Sequence, residues 1–484
     1  MKNIEIKKNK KRNLLVFSFL IVFLSGCASQ KPLLKSSLKI QNYDYNAYLY
    51  YTTAVLKERE GKLDEAIEGY EKSLFYASQE PLIHQNLGML YFRKGFNEKA
   101  ILELQRSCDA DPDNARTHYL LGSFYQEKNM FKQAEKEFEK TIKLSPDFSD
   151  VYFSLGVLYT SALMWEKAIK NYEKFVKIKP EEAVAFYNLG FCYLMKGDQK
   201  KSILNYKKTI EIDENWAAPH FNLALSYERI GQYEPAIDEW KKFSNLEPEN
   251  PEPYLKVGLL YFQNGSYEKA VDYFNKVLFL KLDVFQDTEK IREIKKQTYG
   301  FLGISYKSLE KNNLAINAFN NYLIIEPKNE MIRYNLAALY DKESLFLQAE
   351  KEFRYIVDHN PRNVDALNYL GYMFAEQGIN LDEAEELVKK AISIQPGNGY
   401  FSDSLGWVYF KKGLYQQAVD ELLKASRFIK NDPIIFDHLG DAYFKNGMEQ
   451  KALVSWKKAK ILQKNCPPEL IKKINSIEMI RQGN

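Results

Sequence analysis

Four cysteines and five histidines among 484 residues leave little material for a disulfide framework or a metal centre. After Cys27 only Cys108, Cys192 and Cys466 remain, an odd number spread along the chain. Cys108 and Cys192 read as small core residues rather than reactive thiols. Cys-x-x-Cys, His-Glu-x-x-His and Gly-x-Ser-x-Gly are missing, as is a glycine-rich phosphate loop after a strand. No metal, no cofactor and no enzymatic activity are therefore expected. An excess of one charge is lacking too. The chain has 68 Lys and Arg against 64 Asp and Glu, a net +4, but residues 1–26 alone carry +5, so the remainder is formally −1. A nucleic-acid partner is excluded on that ground, because phosphate neutralisation requires a basic face. The apolar run from Leu14 to Leu24 is too short for a membrane span, which takes about 20 residues.

What the chain has is a period. A small residue returns every 34 positions, at Ala54, Gly88, Gly122, Gly156, Gly190, Ala224, Gly258, Gly303, Ala337, Gly371, Gly406 and Gly440. The spacing departs only between Gly258 and Gly303, by an insertion of 11, and between Gly371 and Gly406, by one. Three positions after each small residue stands a Tyr, except Lys57 in the first repeat and Phe374 in the tenth. Nine further on is an Ala, or Ser202 in the fifth repeat; the tenth, Ala384, comes one position later. The small residue lets two backbones approach and the Tyr fills the space beside it. Residues such as Gly61, Gly95, Gly197 and Gly265 punctuate the middle of each unit, and prolines such as Pro112, Pro146 and Pro180 stop its end. A helix pair of this kind cannot bury its apolar face alone, so the units must stack.

The third repeat, with Leu121, Gly122, Tyr125, Ala134, Phe138 and Pro146, closely resembles the tetratricopeptide (TPR) repeat. That resemblance covers residues from about Tyr45 to about Gln463. It implies an all-α fold, a right-handed superhelical solenoid of about twelve helix-turn-helix repeats. The division expected is repeats 1–7 over 45–282, an inserted helical junction over 283–298, repeats 8–12 over 299–465, and a C-terminal capping helix over 466–484. In the junction Ile291 and Ile294 have helical spacing, which predicts lengthened flanking helices; in the cap Leu470, Ile474, Ile477 and Ile480 face inward.

Residues 1–26 read as an export signal, basic before Leu14 and apolar to Leu24. The ending Leu24-Ser25-Gly26-Cys27 resembles the bacterial lipobox, which implies that Cys27 becomes a lipidated N-terminus and that 27–44 form a tether. A plain signal peptide and an uncleaved anchor are the alternatives. Ala28 and Ser29 lack the Asp of the inner-membrane retention rule, so an outer-membrane anchor facing the periplasm is expected for a Gram-negative source.

In the TPR family the first helix of each pair lines an inner wall, with residues three before and one after the small residue facing it. Carried onto this sequence, the first of these positions holds Tyr51, Gln85, Tyr119, Phe153, Tyr187 and Phe221. This composition suits a peptide groove, because rigid aromatic area costs little entropy on binding. The alternative is that the rings pack on the next repeat. Two before the small residue, Asn86, Asn188, Asn222 and Asn335 resemble an asparagine ladder for a peptide backbone, though Asn is also simply common there. In the last three repeats Asp365, Asn368, Tyr372, Asp403, Trp407, Phe410, Asp437, Asp441 and Phe444 form an acidic and aromatic patch, fit for a basic peptide or for a glycan stacked on Trp407.

His84, His118 and His220 share one repeat position, but equivalent side chains on neighbouring repeats stand about 10 Å apart and cannot converge on a metal. They are expected to replace a packing aromatic. Glu135, Glu137 and Glu139 read as a solvated helix face. The resemblance thus implies a membrane-anchored scaffold for segments of envelope proteins. The alternatives are an accessory of polysaccharide export that binds sugar, and a regulatory subunit of an envelope enzyme.

Overall fold

Half of the first helices begin at an Asx side chain that caps them at one repeat position. Eight positions before the small residue, Asn114, Asn250, Asn329, Asn363, Asn398 and Asp432 each accept a hydrogen bond from a backbone N–H of the first turn. The computed structural model describes residues 44–280, 288–463 and 465–482, and among them the fold is all-α. Twelve helix pairs follow one another, for example Ala115–Glu127 with Phe131–Leu144, and a further helix, Pro468–Gln482, closes the series. The export signal, Cys27, nearly all of the tether and residues 283–287 of the insertion lie outside the described residues.

Two compact units divide at Met164 and Trp165, inside the fourth pair, and not at the 283–298 insertion. The insertion lengthens only the helix that follows it. Thr288–Ser308 has 21 residues, with Ile291 and Ile294 buried as expected, whereas the preceding helix Tyr267–Phe279, second of its pair, has 13 against 14 in second helices such as Tyr233–Leu246.

Within a pair, the small residue lies under a large side chain sixteen positions later. A Cβ added at Gly258 would sit 2.6 Å from the Phe274 ring, and one at Gly190 would sit 2.7 Å from the Tyr206 ring, both rings being fully buried. The turn between the two helices needs a left-handed residue. Gly197 supplies it at φ +89°, but Asn129, Leu163, Glu310 and Ser344 adopt it at φ +57° to +59°, a conformation that crowds Cβ.

Between pairs, the repeated Tyr reaches back to the second helix of the preceding repeat, in several repeats to the residue 20 positions earlier and at Tyr159 and Tyr409 to Glu135 and Glu385, 24 earlier. In the first unit the Tyr91 hydroxyl donates to Glu71 at 2.5 Å, and Tyr125 accepts from Gln105 at 2.7 Å. In the second, Tyr193 donates to Glu173 (2.6 Å), while Tyr261 and Tyr340 accept from Lys241 (3.3 Å) and Asn320 (3.1 Å). Asn275 reaches Tyr306 at 3.4 Å across 31 positions, the usual 20 plus the inserted 11, so the contact survives the insertion. Where the hydroxyl is missing, at Phe374, the partner is Arg354, whose guanidinium lies 5.3 Å from the ring centre.

The closing helix buries Leu470, Ile474 and Ile477, as its pattern predicts; the Ile480 side chain is outside the described set. Cys108 and Cys192 are buried, and burial pushes the Cys108 thiol up to about 12, which suits a core residue.

Candidate functional site

The aromatic column three before the small residue is half-buried throughout: Tyr51, Tyr119, Phe153, Tyr187 and Phe221 are neither enclosed nor fully open, whereas Gln85 is buried. Four of these rings are braced by a second ring. Tyr51 meets Tyr70 (centroids 5.7 Å), Tyr119 meets Phe148 (4.9 Å), Tyr187 meets Trp216 (4.6 Å) and Phe221 meets Trp240 (5.0 Å). Burial raises the Tyr51 and Tyr187 phenols, so both are neutral hydroxyls.

Those hydroxyls are engaged with the second candidate column. Asn86 donates to the Tyr51 hydroxyl at 3.3 Å and Asn222 to Tyr187 at 2.9 Å, while Tyr119 lies 3.4 Å from the Ser154 hydroxyl. In every case the partner is 35 residues on, two before the next small residue. Further along, the Tyr334 and Tyr369 rings meet edge to face in the same register, at 5.8 Å. Two columns that the sequence presents as separate features therefore face each other across repeat boundaries. Asn86 and Asn222 direct their amide donors to tyrosine, Asn335 accepts from Lys307 (2.7 Å), and Asn188 is half-buried. Sequence reading missed this pairing, although the recurrent offset of 35 is visible.

The C-terminal patch differs from the open acidic surface expected of it. Asp365 is exposed and Asn368 half-buried, and the Tyr372 hydroxyl donates to Glu376 at 2.9 Å. Asp403 is buried against His438 Nδ1, at 3.1 and 3.2 Å from its two oxygens. Asp437 and Asp441 are both bound by Lys473 of the closing helix, at 2.8 and 2.7 Å, and Asp441 also accepts from Trp456 Nε1 at 3.0 Å. Burial nevertheless pushes the Asp441 carboxyl above its ordinary value, against the pull of Lys473. Neutralisation comes from inside the fold. Trp407, 8% exposed, stacks with Phe410 (4.7 Å) and His438 (4.0 Å), so the open ring a stacked sugar requires is not there.

Among the described residues no group of His, Cys, Asp and Glu could hold a metal, and no helix is long and apolar enough to cross a membrane. Glu137, expected on a solvated face, is instead buried against His118.

Family models described as TPR repeat match residues 90–129 and 229–265, and others described as tetratricopeptide repeat match 334–399, 115–148, 183–215 and 251–282. The chain is a tetratricopeptide-repeat protein. It is 31% identical over 104 residues to a TPR repeat-containing protein of Pseudomonas aeruginosa, covering 22% of this chain and 16% of that protein. To the BBSome complex member BBS4 of Bos taurus it is 30% identical over 114 residues, covering 24% and 22%. The chain thus spans less than a quarter of the length of either curated relative. Among solved structures, one of MamA protein is similar at 29% identity, covering 35% of this chain and 93% of that one, with a TM-score of 0.34. Repeats of this family mediate protein–protein interactions and scaffolding.

Proposed function

We propose that this chain is a non-catalytic scaffold, anchored to a membrane by a lipid on Cys27, that holds segments of cell-envelope proteins against the aromatic column of its first helices. The braced, half-buried rings of that column carry the reading. A ring already fixed by its neighbours loses little freedom when a ligand covers it, so its apolar area converts efficiently into affinity. The Leu-Ser-Gly-Cys junction and the Ala28-Ser29 that succeeds it support, for a Gram-negative source, an outer-membrane anchor facing the periplasm.

Two experiments separate the parts of this reading. Co-purification from mildly solubilised membranes supplies the partner. Truncating Tyr119 and Phe153 in the first unit, or Tyr187 and Phe221 in the second, to Ala should then abolish capture while helicity persists, since aromatic hot spots cost about 2 kcal/mol or more each. A folded variant that still captures its partner, or one that melts first, refutes the groove. The Cys27→Ser variant should leave the membrane fraction; unchanged association and mass refute the anchor.

A further inference from the structure

We propose that repeats 2, 3 and 6 each carry a buried proton-binding clasp, so that these repeats are held more firmly in mildly acid than in alkaline solution. His84, His118 and His220 stand four before the small residue, and a Glu follows each by 19 positions on the second helix of the same pair. Nδ1 of each ring lies 2.6 Å from a carboxylate oxygen, of Glu103, Glu137 and Glu239 respectively. Nε2 faces a backbone carbonyl six residues upstream, of Ser78 (3.0 Å), Pro112 (3.0 Å) and Glu214 (3.4 Å). Carboxylate and carbonyl oxygens only accept, and a neutral imidazole has one N–H to give. Donation on both sides is the bonding pattern of imidazolium.

A fourth repeat shows what the cradle is built to hold. Arg333 occupies the same position in repeat 9, donates Nε to the Pro327 carbonyl at 2.9 Å and pairs with Glu352, again 19 residues on. A permanent cation therefore fits this cradle. The uncharged Tyr152 and Tyr254 make the same bond to Pro146 and Pro248, and Asn171 and Tyr273 stand where the Glu would be. In repeat 11, Ser402 is followed by Glu421, whose charge Lys424 meets instead at 2.6 Å.

The surroundings of each clasp set its balance. Glu103 also binds Arg106 (2.7 Å), Glu137 lies 3.8 Å from Lys140, and Glu239 binds Lys242 (2.7 Å). Asp109 lines the opening beside His84 and Arg106, and Lys207 adds positive potential near Glu239. Each carboxylate thus has a cation beside it as well as the ring. At His84, burial opposes the charged ring, but the Glu103 carboxylate and the Ser78 carbonyl more than offset it, and the imidazole is raised. Burial likewise works against ionised Glu239, yet His220 and Lys242 hold that carboxyl below the usual range. A raised histidine stabilises the fold fully below its unfolded value, about 6.5, and the stabilisation is lost as pH rises through the folded value.

The test uses the full chain. Side-chain nitrogen NMR should show both ring nitrogens of His84, His118 and His220 carrying protons at pH 6, with His84 keeping its charge above the ordinary imidazole range. A neutral ring at any of the three at pH 6 overturns the proposal for that repeat. The melting temperature should fall between pH 6 and pH 8. His84→Arg, which copies repeat 9, should fold and reduce that fall; a folded variant with the wild-type fall overturns the linkage. His438, paired with Asp403 and facing Asp437 and Glu376, titrates separately in repeat 12, so the residue-resolved readout is decisive.

Discussion

Replacing Lys473 by Met removes one ammonium and keeps most of its apolar stem. In the native fold that ammonium lies 2.8 Å from Asp437 and 2.7 Å from Asp441, and the three side chains are 18–30% exposed. Hydrogen bonds to charged groups contribute about 1.5–3 kcal/mol when enclosed. Solvent screening at this exposure reduces the pair to about 1–2 kcal/mol in total. Two facing carboxylates are then left with only the Trp456 N–H for compensation. The loss is local, because a solenoid transmits stability through neighbouring interfaces. The closing helix Pro468–Gln482 keeps Leu470, Ile474 and Ile477 as its buried anchors. Its open population should rise about 5- to 30-fold, and its amides should exchange with deuterium faster by that factor. Repeats 8–10 should keep their exchange rates. Unchanged exchange in the closing helix would mean that the ion pair is decorative, and uniform acceleration everywhere would mean that the helix is not a separate cooperative element.

Three further outcomes follow from the packing. Gly258→Ala should destabilise by about 1 kcal/mol, the net of overpacking against Phe274 (about 1–3) and the gain in helix propensity (about 1); a raised urea midpoint would refute the close approach. Glu310→Gly should be neutral or stabilising by up to about 1 kcal/mol, since relief of the left-handed Cβ outweighs the entropy of glycine, and a clear loss in thermal melting would contradict it. Tyr193→Phe should cost about 1 kcal/mol by removing the bond to Glu173, measurable as a lower urea midpoint without loss of helicity.

The period of 34 made the helix pairs and their turns legible, because each depends on residues within one repeat, and the closing helix was legible from the helical spacing of Leu470, Ile474 and Ile477. What escaped was pairing between columns. His84 with Glu103, Tyr187 with Asn222 and Asp437 with Lys473 join positions 19, 35 and 36 apart, and the register of one helix on another decides whether such offsets meet. The offset of 19 recurs with His three times and could have been found by comparing columns. Lys473 could not, for it lies beyond the last repeat and has no column. Nor did anything in the uniform pattern mark Met164 and Trp165 as the boundary of a compact unit. Trp407 misled because inner-wall positions take buried residues as readily as open ones, and its neighbours Phe410 and His438 close over it.

The tyrosine that joins successive repeats has a chemical property its position does not advertise. A phenol both gives and takes a hydrogen bond, so the same residue meets Glu71 or Glu173 as donor and Gln105, Lys241 or Asn320 as acceptor. The joint is therefore indifferent to the charge of what precedes it. A repeat copied elsewhere in the array would find an acceptable neighbour whichever of these polar residues it met, which allows such a chain to lengthen by duplication without redesigning its seams. Phe374 has surrendered that freedom: its ring has no hydroxyl to give or take, and the side chain in front of it, Arg354, meets its face instead.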